Sequence, residues 1–188
     1  MTTQKDDSKV SSKKKRKGLV IVNTGNGKGK STAAFGIAFR ARGRGMDVTV
    51  VQFLKPDTAN YGEIRAARAA GIVVEGTGDG WTWTSKDINK TADLARKGWE
   101  LAQQKIIANQ VQVLVLDEFT YPMVFGWIAA DEVVDWLRQN KPKDLHIVIT
   151  GRDAPQELID FADLVTEMKL IKHPYEDQNI KAQPGIEF

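Results

Sequence analysis

The chain has 188 residues, 41% of them hydrophobic and 27% charged, and contains no cysteine. This composition excludes a disulfide scaffold, a thiolate metal centre and a thiol nucleophile, and no apolar run approaches the roughly 20 residues of a membrane-spanning helix. The net charge of +3 is concentrated at one end: residues 1–17 carry seven Lys/Arg against Asp6 and Asp7, while the rest of the chain nets −2, which speaks against a polynucleotide-binding body.

The expected organisation is a disordered basic leader, 1–17, followed by one domain, 18–188. The leader is polar and has no apolar h-region, so no secretory signal is read and a cytoplasmic location is expected. In chain order, strands are expected at Gly18–Asn23, Asp47–Phe53, Ile72–Gly76, Val111–Asp117, His146–Thr150 and Leu164–Met168. Several are nearly continuous Val/Ile/Leu runs, as in parallel strands covered on both faces. Helical patterns lie between them. Lys30–Arg42 carries a stripe of Ala34, Ile37, Ala38 and Ala41 and is expected to stop at Gly43. A longer helix should follow Thr84, whose spacing to Asp87 resembles a capping box, with Ala95, Trp99, Ala102 and Ile106 on one face. Another spans about Asp131 to Gln139, burying Val133, Val134 and Leu137. A short one follows Asp153 with Pro155 in its first turn. Alternation of this kind predicts a three-layer α/β/α domain with a mainly parallel sheet.

In such a sheet, ligands sit beyond the carboxyl ends of the strands. Five separated segments would meet there: 24–31, Gln52 to Lys55, the run GTGDGWTWT from Gly76, the pair Asp117–Glu118, and Gly151 to Asp153. The first of these reads TGNGKGKST, close to the phosphate loop G-x-x-x-x-G-K-[ST] but with Thr24 at the first glycine. Gly25, Gly27 and Gly29 permit the tight turn and the close approach of a polyanion, so the following Gly25 can supply the backbone freedom that Thr24 lacks. Backbone N–H groups of the loop, including Asn26 and Thr32, together with the helix N-terminus, suit phosphate. Lys30 adds the mobile cation, Lys28 a second charge, and Ser31 a hydroxyl for Mg²⁺. The apolar strand ending in Asp117–Glu118 has the form of a segment whose carboxylate helps hold Mg²⁺. Trp81 and Trp83, two residues apart, would face the same side in an extended segment. Glycines at 76, 78 and 80 make that segment a poor place for ordinary core packing, and the two rings suit a flat, largely apolar second substrate. Arg152 is a candidate anion contact at the end of the fifth strand.

On these residues alone, a small-molecule kinase or a nucleotide-gated nucleic-acid-binding protein remains open. The segments TGNGKGKSTAAFG, VVQFLK, GTGDGWTWTS, VLVLDEFTY, IVITGRDAP and the closing KHPYEDQNIKAQPGIEF together resemble the corrinoid adenosyltransferases of the RecA-like P-loop branch, over about residues 18–188. The resemblance implies an ATP:cob(I)alamin adenosyltransferase serving adenosylcobalamin biosynthesis or salvage, in which Co(I) attacks the 5′ carbon of ATP and triphosphate leaves. It implies a triphosphate bound in the reverse sense to ordinary P-loop enzymes. It assigns Lys30 and Glu118 to catalysis, with Glu118 on Mg²⁺ or the ribose and Asp117 supporting it. It puts Trp81, where the family often has phenylalanine, and Trp83 beneath the corrin, helping to exclude the lower axial ligand. Mg²⁺ (with Mn²⁺ as a substitute), a homodimer and a flavoprotein reductant are implied by the same resemblance.

Overall fold

The computed structural model describes residues 17–79 and 88–188. All six expected strands form: β1 Val20–Thr24, β2 Val48–Gln52, β3 Val73–Gly76, β4 Val113–Asp117, β5 His146–Thr150 and β6 Leu164–Glu167. They build one sheet in the order β3-β2-β4-β5-β1-β6, and every pairing is parallel. The Val/Ile/Leu runs follow from this arrangement, because β2 and β4 are buried at all five positions and such strands are covered on both faces.

Helices α1 (Lys30–Gly43) and α2 (Gly62–Ala69) cover one face. Their Ala34, Phe35, Ala38, Ile64 and Ala67 pack on Val50, Val115 and Val148. The other face carries α3 (Ile88–Ala108), α5 (Ala130–Asn140) and α6 (Gln156–Phe161). There Trp99, Ala102, Ile106, Val133, Val134, Leu137 and Leu158 meet Val51, Leu114, Leu116 and Ile147. The helical stripes expected for α3 and α5 are therefore the buried faces. In α1, Phe35 joins the core, while Ile37 is only partly buried. The short α4 (Thr120–Val124) follows β4, and α7 (Pro174–Gln178) lies near the C-terminus.

Two helix ends differ from expectation. Gly43 is the last residue of α1, and the stop lies at Gly45 with φ +75°. Met46 N donates to Ala41 O and Gly45 N to Arg42 O, the paired bonds of a Schellman ending, which needs a left-handed residue two positions later than anticipated. Pro155 sits at the N-cap of α6, ahead of the first turn, where an extended backbone suits it better. The proposed cap by Thr84 and Asp87 lies outside the described residues. Lys17, assigned to the leader, pairs with Asp163 at the start of β6.

The in-register parallel pairing aligns the strand ends. Gln52 lies beside Asp117, and Asn23 beside Thr150. The loops that follow these residues accordingly open along a single edge.

Candidate nucleotide and metal site

The β1–α1 loop turns sharply because of its glycines. Gly25 has φ +90° and Gly29, the N-cap of α1, has φ +105°; left-handed backbone is easy only for glycine. Thr24 needs no such freedom. It closes β1 in register with Glu167, its carbonyl accepts from Met168 N, and its buried hydroxyl accepts from Ala154 N at 3.1 Å. The missing motif glycine is thus replaced by a side chain that ties the loop to the segment after β5. Gly25 and Gly27 are packed against Met168, where an added Cβ would come within 2.6 and 2.7 Å of its carbonyl oxygen.

Lys30 reaches back across this loop and donates to Gly25 O at 2.7 Å and Gly27 O at 2.6 Å. Burial, reinforced by the nearby Arg152 guanidinium, lowers its pKa. Lys28 points outward and pairs with Glu187 at 3.2 Å.

Across from the loop stands an acidic pair. Asp117 is fully buried; its Oδ1 accepts from Thr150 Oγ1 at 2.8 Å, and its Oδ2 accepts from Gln52 Nε2 at 2.9 Å. Lys55 Nζ lies 3.3 Å from Oδ2. Burial pushes the Asp117 carboxyl up, but Lys55 and the hydroxyl and amide donors of Ser31, Gln52 and Thr150 outweigh it and hold the pKa below the usual range. Glu118 has φ +63°, a sparsely populated conformation for a side-chain residue. Its amide donates to Thr150 Oγ1 at 2.9 Å. Burial, with the Asp117 charge beside it, raises the Glu118 pKa to about 7.

Between the loop and the acidic pair lies a cleft of about 420 Å³ lined by Lys28, Gly29, Lys30, Ser31, Thr32, Lys55, Tyr61, Glu118, Tyr121, Gly151, Arg152, Ile186 and Glu187, among others. The expected residues are thus largely gathered. Gly25 and Gly27 shape the loop beneath the cleft, Asp117 lies under its floor, and Asn26 faces solvent away from the cleft. Trp81 and Trp83 lie outside the described residues.

The segment Gln52 to Lys55 reaches the cleft edge as expected, but several individual roles have no counterpart in the sequence. Gln52 and Thr150 secure Asp117, Lys55 faces both carboxylates, and Ile186 and Glu187 bring the C-terminal tail to the cleft wall. The glycines of the GTG run also need correcting. Gly76 and Gly78 are tightly packed, and an added Cβ would lie 2.5 Å from Pro56 C or 2.1 Å from Leu54 C, respectively.

The chemistry of this donor set suits a polyphosphate and a divalent cation. The cations Lys28, Lys30 and Arg152, the Ser31 hydroxyl and the Glu118 carboxylate line the cleft, with the Asp117 carboxylate buried beneath it. Among the described residues, no group of three or more His, Cys, Asp or Glu could hold a metal alone. That fits Mg²⁺, which takes one or two carboxylates and completes its octahedron with water and phosphate.

Comparison with known proteins agrees with this geometry. The family model described as ATP:corrinoid adenosyltransferase BtuR/CobO/CobP matches residues 16–188. A corrinoid adenosyltransferase of Sinorhizobium sp. is 43% identical over 95% of this chain and 84% of its own. The Pseudomonas aeruginosa corrinoid adenosyltransferase is 39% identical over 97% and 89%, and that of Escherichia coli K12 is 35% identical over 98% and 93%. Among solved structures, the flagellar accessory protein FlaH of Methanocaldococcus jannaschii shares the fold with a TM-score of 0.55 at 13% identity, covering 81% of this chain and 71% of its own.

Proposed function

Because the chain belongs to the ATP:corrinoid adenosyltransferase family, we infer that it transfers the 5′-deoxyadenosyl group of ATP to the Co(I) centre of a corrinoid and releases triphosphate. The match across residues 16–188, the whole described fold included, carries this reading. The electron pair of Co(I) forms the bond to C5′, the C5′–O bond breaks, and its electrons leave on the triphosphate oxygen. The nucleophile has no proton to lose, so no general base is required.

The catalytic task is to bind the leaving group and stabilise its growing charge. Lys30, held against the loop carbonyls, and the loop amides at the N-terminus of α1 would receive the phosphates, joined by Lys28, Thr32 and Arg152. Gly25, Gly27 and Gly29 make the close approach possible, and Asn26 contributes through its place in the loop. Ser31 and Glu118 would hold Mg²⁺, or Mn²⁺ in its place, with Asp117 fixing Ser31 from beneath. The cation supplies Lewis-acid neutralisation of phosphate charge when bound. The burial of Asp117 under four polar partners supports its role as an anchor, and the position of Glu118 on the cleft wall supports contact with ligand.

Trp81 and Trp83 are the proposed corrinoid contacts. Their segment follows the carboxyl end of β3, the same sheet edge as the phosphate loop. Loss of the Trp83 ring should harm turnover more with Co(II) substrate plus reductant than with preformed Co(I); equal losses would reject a role in excluding the lower ligand. The proposed setting is a cytoplasmic homodimer, with residues 1–17 as a leader and a flavoprotein as reductant. No described helix is long and apolar enough to cross a membrane.

Incubation with Mg-ATP and reduced corrinoid, followed by mass analysis of both products, tests the reaction. The expected products are adenosylated corrinoid and triphosphate. ADP with a phosphorylated acceptor would instead identify a kinase.

A further inference from the structure

Lys55 belongs to no phosphate-loop motif, yet it holds a central position in the cleft. Its Nζ lies 3.3 Å from Asp117 Oδ2, 4.0 Å from Glu118 Oε1 and 5.5 Å from the centroid of the Tyr61 ring. Lys30 is committed to the carbonyls of Gly25 and Gly27. The ammonium that faces the acidic pair is therefore that of Lys55.

The backbone is built to keep it there. Leu54 has φ +65°, an uncommon conformation for a leucine that persists only when its surroundings over-determine it. Here they do. Gly78 N donates to Lys55 O at 2.9 Å, Pro56 and Thr77 form an antiparallel bridge, and Gly78 leaves no room for a Cβ against the Leu54 carbonyl. Phe53 N in turn donates to Asp117 O at 2.9 Å, which ties the turn to the acidic strand end.

We propose that Lys55 is a positioning residue that stands in the divalent-cation position beside Asp117 and Glu118 until nucleotide phosphate draws its ammonium aside, so that metal and nucleotide enter the site together. This rests on the reading that the two carboxylates serve a metal ion. A divalent ion at these oxygens would lie within a few ångströms of a fixed like charge, which strongly opposes its entry. A polyphosphate offers the ammonium equivalent charge-assisted partners on the facing wall. The flexible four-carbon stem of lysine permits such a swing. Binding of metal and nucleotide then becomes reciprocally coupled.

The test is Mn²⁺ titration of the purified full chain, with and without ATP, followed by the electron paramagnetic resonance signal of the free ion. Without ATP, Lys55→Met should bind Mn²⁺ at least about tenfold more tightly than the parent, since one opposing charge is removed. Lys55→Arg, which keeps the charge, should match the parent. The enhancement of Mn²⁺ binding by ATP should shrink in Lys55→Met by the same factor. A side chain that merely supports the fold would not tighten metal binding when deleted, so unchanged or weaker Mn²⁺ affinity in Lys55→Met overturns the proposal. Gln52, Thr150 and Ser31 remain on Asp117 in that variant; should it still fail to fold, Lys55→Gln gives the same reading with a neutral polar group. If the parent with ATP retains no Mn²⁺ beyond that carried by ATP itself, the metal assignment falls and the proposal with it. If that complex forms and Lys55→Met and Lys55→Gln behave like the parent, the proposal alone is wrong.

Discussion

Two turns at the same sheet edge present lysines to one cleft, and they are built on opposite principles. The β1–α1 turn uses glycines at its left-handed positions, Gly25 and Gly29, and ties only its Gly27 amide back to Met168 O, at 2.6 Å. The β2–α2 turn uses Leu54 at φ +65°, and places glycine instead on the neighbouring strand end, at Gly76 and Gly78, to make room. Both turns are tightly packed, but the first takes its left-handed torsions on glycine and the second forces them on a leucine. A loop that must receive a polyanion benefits from exposed N–H groups. A turn that must fix one ammonium against two carboxylates benefits from tight backbone packing on both sides.

Variants can break this comparison. The largest effect is expected from Lys30→Ala, which removes the loop's central cation and should lower kcat/KM by about 10³-fold, the scale of losing a principal charge-stabilising donor; steady-state rates with preformed Co(I) corrinoid check it. Gly78→Ala attacks the clamped turn without touching the phosphate loop. Its Cβ would fall 2.1 Å from Leu54 C, so the turn must shift, at a cost of about 3 kcal/mol in stability. Denaturant unfolding measures that cost, and a normal midpoint would mean that the clamp is not rigid.

Glu118→Gln sharpens the electrostatic side. Burial raises the folded pKa of Glu118 from 4.5 to about 7, so between these values the folded protein binds more protons than the unfolded chain. The stability linked to this group is full below pH 4.5 and is lost as pH rises through 7. The glutamine variant should therefore be more stable than the parent at pH 8, by roughly 3 kcal/mol at most, and the gain should fade towards pH 4.5 in thermal melts. The smallest effect is expected from Thr24→Gly, which restores the motif glycine. It removes the bond from Ala154 N and loosens the unfolded chain, costing about 1 kcal/mol in a denaturant titration without raising activity.

The same contrast explains how much was legible beforehand. The four inner strands β1, β2, β4 and β5 were readable because buried parallel strands are nearly continuous Val/Ile/Leu runs. The exposed edge strands β3 and β6 were readable from their place in the strand–helix alternation, and α3 and α5 because their apolar stripes repeat at helical spacing. The phosphate loop was readable because its glycines, lysines and hydroxyl act within nine consecutive residues. Lys55 was placed at the cleft by the end of its strand, but its role there was not legible, because what aims it is a contact between segments more than twenty residues apart. Gln52 and Thr150 were hidden for the same reason: their roles depend on the register of β2 with β4 and the approach of β5. The helix α2 escaped because only Ile64 and Ala67 of its eight residues are buried, too few to announce a stripe, although their spacing of three was the available signal. Gly43 looked like a helix stop because two glycines follow the stripe; only the carbonyl partners of Gly45 and Met46 decide between them. The closing GIEF was visible as part of a resemblance, but nothing local in it places Glu187 on Lys28.

The bond that breaks in ATP tests the central claim most directly. With ATP carrying ¹⁸O at the bridging oxygen between C5′ and the α-phosphorus, attack at carbon predicts that the label leaves entirely in triphosphate and that the adenosylated corrinoid carries none. Label retained on the nucleoside product would mean cleavage at phosphorus, and would contradict the account.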